Sequence, residues 1–172
     1  MLFMGEESAV DAPFPFFADF EDAGLRKAVD RGRRHEYPHH DWKGSPLPSD
    51  PLAFTSSIIS RDKEQPAVKD WYRQLLQFRK QGVADSWLQL DNFSVESDTQ
   101  NHLYRLIYRW GGRQVQIACR IDQANAKPIA IDVDGELILD SLAVVAGQDL
   151  QASADDGSVT IQPRQCLIWK AK

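Results

Sequence analysis

The sequence predicts a mainly β protein with some α, in two regions of different character, and three observations carry that prediction. From residue 84 onward apolar residues recur at every second position between glycine-containing turns, the pattern of half-buried strands. Residues 66–82 recur instead at three- and four-residue steps, the pattern of an amphipathic helix. The chain opens on Met1-Leu2-Phe3-Met4, an apolar run that stops at Gly5 and two carboxylates, Glu6 and Glu7. Such a run reads as a buried strand of a parallel sheet. Parallel strands need long crossovers to bring their neighbours back, so this element is expected to be the last strand of a sheet whose other strands lie outside the chain.

The 172 residues suit one domain or two small ones. Apolar residues make up 42% and charged residues 26%, values ordinary for a soluble globular protein. A net charge of −5 argues against nucleic acid, whose phosphates need a cationic surface. No run approaches the roughly 18 apolar residues of a membrane span, and no basic segment leads into an apolar one as in a signal peptide. A cytoplasmic setting with no membrane partner is therefore expected. Cys119 and Cys166 fall at apolar-facing positions of predicted strands, where free cysteine behaves as a small hydrophobe. A disulfide or a nucleophile is the less favoured alternative.

Element by element, Ala12-Pro13-Phe14-Pro15-Phe16-Phe17 is an irregular aromatic loop, because proline fixes φ and blocks regular pairing. Asp22 through Arg31 is a short helix with Leu25, Ala28 and Val29 on one face and Gly32 as its cap. From His35 to Pro51 four prolines exclude either period, and Ser49-Asp50-Pro51 then signals a helix start. The clearest helix begins at Pro66, carries Val68, Trp71, Tyr72, Leu75 and Leu76, and closes at Gly82.

His102 to Trp110 alternates, with Tyr104, Leu106, Tyr108 and Trp110 on one face. Gly111-Gly112 predicts a hairpin into a strand with Val115, Ile117, Cys119 and Ile121 on one face and Gln114, Gln116 and Arg120 on the other. A second hairpin is expected at Asp134-Gly135, and a turn at Asp155-Asp156-Gly157 leads to Val159-Thr160-Ile161 and then Gln165 to Trp169. The expected domains are 1–82, and 84–172 as an antiparallel β-sandwich.

Several clusters read more plainly as structure than as chemistry. His35, His39, His40 and Asp41 have a metal-like composition, but Pro38 denies them the helix that would align them. No metal or other cofactor is expected. Arg31, Arg33 and Arg34 read as ion-pair formers, Ser56-Ser57 lacks nucleophile surroundings, and Tyr104, Tyr108 and Trp110 read as core before sugar platform.

The opening heptapeptide resembles the eighth barrel strand of the α-amylase superfamily, glycoside hydrolase family 13. Pro13-Phe14-Pro15-Phe16-Phe17-Ala18-Asp19 and Val29-Asp30-Arg31-Gly32-Arg33-Arg34-His35-Glu36-Tyr37 are similar to one branch of it, whose members free trehalose from trehalosyl-capped malto-oligosaccharides. Pro48-Ser49-Asp50-Pro51, Phe54 and the helix ending Leu75-Leu76-Gln77-Phe78-Arg79-Lys80 extend the likeness. The resemblance implies the last strand, loop and helix of a (β/α)8 barrel, followed by a C-terminal sandwich, with an α-glucan as substrate. It also implies that the three catalytic carboxylates lie on strands upstream of Met1, so that the chain alone is inactive.

Functional residues of such barrels gather at strand C-termini and the loops after them. Glu6, Glu7, Phe14, Phe16, Phe17 and Asp19 are therefore the substrate-binding candidates, against a plainer reading as rim ion pairs and packing. Glu6 and Glu7 are ill placed as a catalytic pair, because adjacent strand residues point to opposite faces. The competing expectations are a free-standing carbohydrate-binding or structural sandwich, and an accessory that docks on a separate barrel-bearing chain. Without its sheet, the first half is expected to repack on the sandwich, to self-associate through the orphan strand, or to be poorly ordered.

Overall fold

The computed structural model describes residues 2–147 and 157–171, and its contacts divide the chain into two units, Met1–Gln65 and Pro66–Lys172. The first unit has no strand among its described residues. The opening apolar run, expected as a buried strand, is irregular, with Leu2, Phe3 and Met4 each more than half exposed. A strand needs a neighbour to satisfy its backbone groups, and none is offered within this unit. The chain turns instead at Gly5 (φ +84°) into a 3-10 helix, Glu6–Ser8. The Glu6 carboxylate accepts the Phe3 backbone N–H at 2.9 Å and holds that turn.

Helix α1 spans Ala23–Glu36, where Asp22 caps it by accepting the Leu25 N–H. It runs past Gly32, where the sequence placed its end. A glycine inside a helix costs only about 1 kcal/mol, whereas the ring of Pro38 disfavours helical geometry at Tyr37, and there the helix stops. Helix α2, Pro51–Ser56, starts as expected on Asp50, which accepts the Leu52 N–H. The Asp30 carboxylate ties α1 to the loop leading into α2 by accepting both the N–H and the hydroxyl of Ser49, at 3.0 and 2.6 Å. What the unit buries is small: Gly5, Ser8, Pro48, Ala53 and Ser57.

The second unit begins with α3, Pro66–Ala84, followed by β1 (Phe93–Asp98), β2 (Leu103–Trp110), β3 (Arg113–Arg120), β4 (Ile129–Asp132) and β5 (Gly135–Asp140). Helix α4 (Ser141–Ala146) and strands β6 (Ser158–Ile161) and β7 (Cys166–Ala171) complete it. Five strands form one antiparallel sheet in the order β1-β2-β3-β7-β5, and β4 pairs with β6 in a second. The expected antiparallel sandwich is present.

One core lies between the sheets: Leu103, Ala118, Leu167 and Trp169 of the larger meet Ile131 and Ile161 of the smaller, with Val133 just past the end of β4. The other face of the larger sheet carries Val115, Leu139 and Ile168, covered by Trp87 and by Trp71, Leu75 and Phe78 of α3. The sequence placed α3 with the first half; its apolar stripe is satisfied here. Because both faces of β7 are covered, Leu167, Ile168 and Trp169 are all buried in succession.

Two local readings change. Gly82 is no cap: it lies inside α3, where a Cβ would come within 2.6 Å of the Trp87 ring. Gly111 and Gly112 turn the β2–β3 hairpin as expected, with φ +50° and +75°. Asp134-Gly135, however, is not a hairpin. β4 pairs with β6 and β5 with β7, so this turn carries the chain from one sheet to the other. Gly135 lies so close to β7 that a Cβ would sit 1.9 Å from the Lys170 carbonyl oxygen.

Arg120, placed by alternation on the polar face, is 4% exposed. Its guanidinium donates to the carbonyls of Asn101, Lys127 and Ile161 and to the Asp122 carboxylate at 2.8 Å, stitching together the loops at one end of the sandwich. Tyr108 and Trp110 pack on Trp87, each at 5.3 Å between ring centroids, as core. Asp155 and Asp156 of the expected turn lie outside the described residues; Gly157 leads into β6 with φ +78°.

Candidate functional site

In the first unit, the aromatic loop and the last turn of α1 enclose a cavity of about 410 Å³. Pro13 and Pro15 alternate with Phe14 and Phe16 along one wall; Tyr37, His40 and Trp42 contribute further ring surface. Arg33 projects from the end of α1 over two of these rings, 5.1 Å from the Phe16 centroid and 4.3 Å from that of Tyr37, a cation–π arrangement. Its partner Glu36 lies one turn on at 2.9 Å, and that hydrogen bond is the main cause raising the Arg33 pKa.

The loop after α1 is folded by its own polar groups. Asp41 accepts the Lys43 N–H, and the Ser45 hydroxyl donates to the Asp41 carbonyl. Trp42 Nε1 donates to the Tyr37 carbonyl at 3.2 Å. His40 meets the Trp42 ring edge-on at 4.6 Å and lies 3.2 Å from Ser45 Oγ. The cavity thus combines aromatic surface with Arg33, His40 and Ser45 as hydrogen-bonding groups, the mixture of apolar walls and few polar contacts that small-molecule sites use.

Of the six sequence candidates, Phe14 and Phe16 line this cavity. Phe17 packs edge-on against Phe54 at 5.3 Å. Glu6 and Glu7 sit in the 3-10 helix and Asp19 is exposed; none of the three lines the cavity. Arg33, Tyr37, His40, Trp42 and Ser45 were not among the candidates. The signal for them was the aromatic content of Tyr37-Pro38-His39-His40-Asp41-Trp42, which the metal-like His and Asp spacing obscured. Among the described residues no group of three or more His, Cys, Asp and Glu could hold a metal ion, and no helix is long and apolar enough to cross a membrane.

The second unit has its own cavity, of about 550 Å³. Gln74, Gln77 and Gln81 of α3 and Gln114 of β3 face it, with Trp87 and Trp110, stacked at 24°, on its wall.

No family model matches the chain. Malto-oligosyltrehalose trehalohydrolase of Mycobacterium tuberculosis is 33% identical over 147 residues, 81% of this chain and 24% of the relative. The enzyme of that name from Brevibacterium helvolum is 26% identical over 177 aligned positions, 99% of this chain and 28% of the relative. This chain is related to the C-terminal part of that glycoside hydrolase family 13 enzyme. It spans about a quarter of the length of these relatives. Among solved structures, a Salmonella typhimurium protein assigned as an α-amylase superposes with a TM-score of 0.73 at 22% identity, covering 99% of this chain and 27% of its own. A MutB mutant from crystals soaked with trehalulose gives 0.56 at 15% identity, covering 99% of this chain and 35% of its own. At these identities the structural likeness speaks for the fold.

Proposed function

We propose that this chain is part of an α-glucan-acting glycoside hydrolase that releases trehalose from malto-oligosyltrehalose, and that its share is to hold glucan rather than to cleave it. The observation that carries the reading is the cavity of the first unit, where Phe14, Phe16, Tyr37 and Trp42 stand beside Arg33, His40 and Ser45. Pyranose rings present apolar C–H faces to aromatic rings and hydroxyls to such polar groups. The relatives' name supplies the substrate.

Cleavage with retention needs two carboxyls about 5–5.5 Å apart across the bond. Among the described residues no Asp or Glu lines this cavity, and Glu6 has its carboxylate on the Phe3 N–H. Glu7, Phe17 and Asp19 belong to the rim of the same glucan-facing region in this reading. A cytoplasmic location, no cofactor, and no nucleic-acid or membrane partner complete it. The exposed segment Leu2–Met4 is where copies of the chain would self-associate.

Titration of the chain with maltoheptaose, followed by tryptophan fluorescence, tests the reading. Trp42→Ala should weaken binding at least about tenfold, or about 1.4 kcal/mol, and the unmodified chain should release no trehalose from malto-oligosyltrehalose. Binding indifferent to Trp42→Ala, or trehalose release, would overturn it. The second cavity favours another reading, a free-standing carbohydrate-binding sandwich, since its amides and Trp110 also suit hydroxyls and rings. Sensitivity of maltoheptaose binding to Trp110→Ala, with Trp42→Ala silent, would select that one.

A further inference from the structure

Cys119 of β3 and Cys166 of β7 stand directly opposite each other in the antiparallel ladder. Both are free and half-buried, and their sulfurs lie 3.2 Å apart. The ladder says which kind of pair they form. The Cys166 N–H donates at 2.9 Å to Ser141 Oγ, on the side away from β3, whereas in the next pair the Arg120 N–H donates across to the Gln165 carbonyl at 3.0 Å. Cys119 and Cys166 are therefore a non-hydrogen-bonded pair, the class whose Cα atoms approach to about 4.5 Å. A disulfide accepts Cα separations of about 4.4–6.8 Å and brings its sulfurs to about 2.05 Å. A pair of this class meets the first condition, and the sulfurs, 3.2 Å apart, have only about 1.1 Å to close.

We propose that Cys119 and Cys166 are an oxidative modification site, a cross-strand dithiol that closes to an intramolecular disulfide by exchange with small disulfides of the oxidised-glutathione class. Neither cysteine lines the first unit's cavity, so the site is independent of the glucan reading. The exchange balances as follows. The Cys119 thiolate attacks one sulfur of the small disulfide, forming a mixed disulfide and expelling one thiolate, which takes up the Cys119 proton. Cys166 then attacks the Cys119 sulfur, the second small thiol leaves with the Cys166 proton, and the protein has lost two electrons and two protons to the reagent.

The two thiols are matched to these roles. The hydrogen-bonded contact between the two sulfurs lowers the Cys119 pKa. The same contact, with burial and the charges of Cys119 and Asp140, pushes Cys166 up, so it stays protonated until the mixed disulfide forms beside it. The closed bond would tie two central strands of the larger sheet across a 47-residue separation in sequence.

The test uses the whole chain, reduced, desalted and incubated with oxidised glutathione. Thiol titration in denaturant should fall from two thiols to none, and the mass should drop by two hydrogens with no glutathione retained. The product should stay monomeric on a non-reducing gel. Its melting midpoint should rise by roughly 5–15 °C and return on addition of dithiothreitol. Cys166→Ser, with no resolving thiol, should instead accumulate the glutathione adduct on Cys119. Phenylarsine oxide, which bridges neighbouring dithiols, should bind once per reduced chain and not to either single serine variant. Two thiols remaining in the treated protein, a lasting glutathione adduct in the unmodified sequence, or a disulfide between chains would each overturn the proposal.

Discussion

The two units treat their aromatic residues in opposite ways. In the second, Trp87 and Trp169 are 4% and 0% exposed, each set in a core that the unit itself supplies. In the first, Phe3, Phe14, Phe16, Phe17 and Phe54 are all at least 43% exposed. Their described ring contacts are with one another and with Arg33: Phe3 on Phe14, Phe17 on Phe54, Arg33 over Phe16. Burying such a side chain is worth about 1.5–3 kcal/mol, so the first unit forgoes a large part of the stabilisation its composition offers. The difference lies in partners rather than in content. A sheet with both faces covered makes its own interior; a loop and two helices present theirs to whatever surface meets them.

The sharpest way to break that comparison is inside the sandwich. Arg120→Met removes the guanidinium and leaves three carbonyls and Asp122 without their donor, a loss expected to cost about 3–5 kcal/mol in urea unfolding. A cost below about 1 kcal/mol would mean that water replaces it and that the loops are not held by one side chain. Next comes Gly82→Ala. In an open helix this change stabilises by about 1 kcal/mol. Against the buried Trp87 ring it should destabilise by about 1–3 kcal/mol, read as a lowered urea midpoint.

A third test uses acid. The Gln123 backbone N–H and then Arg120 hold the Asp122 carboxyl below its usual range. Its contribution is therefore full above the unfolded value of about 3.9 and lost as pH falls below it. Asp122→Asn should flatten the fall in urea midpoint between neutral pH and pH values below about 4; an unchanged slope would remove Asp122 from the account. The smallest effect is expected in the first unit. Phe17→Ala should change stability by no more than about 0.5 kcal/mol, and a loss near that of a core phenylalanine would show that this ring is already well covered.

What was legible in the sequence follows the range of the interaction. Gly111-Gly112 turns a hairpin because both residues must take positive φ locally, and the helix around Trp71, Leu75 and Phe78 follows from its own period. Asp134-Gly135 carries the same local signal, but which strands pair there is decided by β6 and β7, more than 20 residues away. Alternation put Arg120 on the right face; only the carbonyls converging on that end make the position one for a buried cation. The opening run failed as a strand because an apolar pattern is worth nothing without a neighbour to pair with. In the cavity, Phe14 and Phe16 were readable from the proline-spaced aromatic loop, whereas Trp42, His40 and Ser45 are brought there by a turn that has no period.

The corner at Asp134-Gly135 also makes both sheets depend on the C-terminal strands for their closure. The β1–β2–β3 meander closes through short loops, so its pairings cost little loop entropy and can form early. β4 and β5, although adjacent in sequence, cannot wait for each other: one must find β6 and the other β7, both of which arrive later in the chain. The second sheet therefore exists only through β6, and β5 reaches the larger sheet only through β7, the strand both cores share.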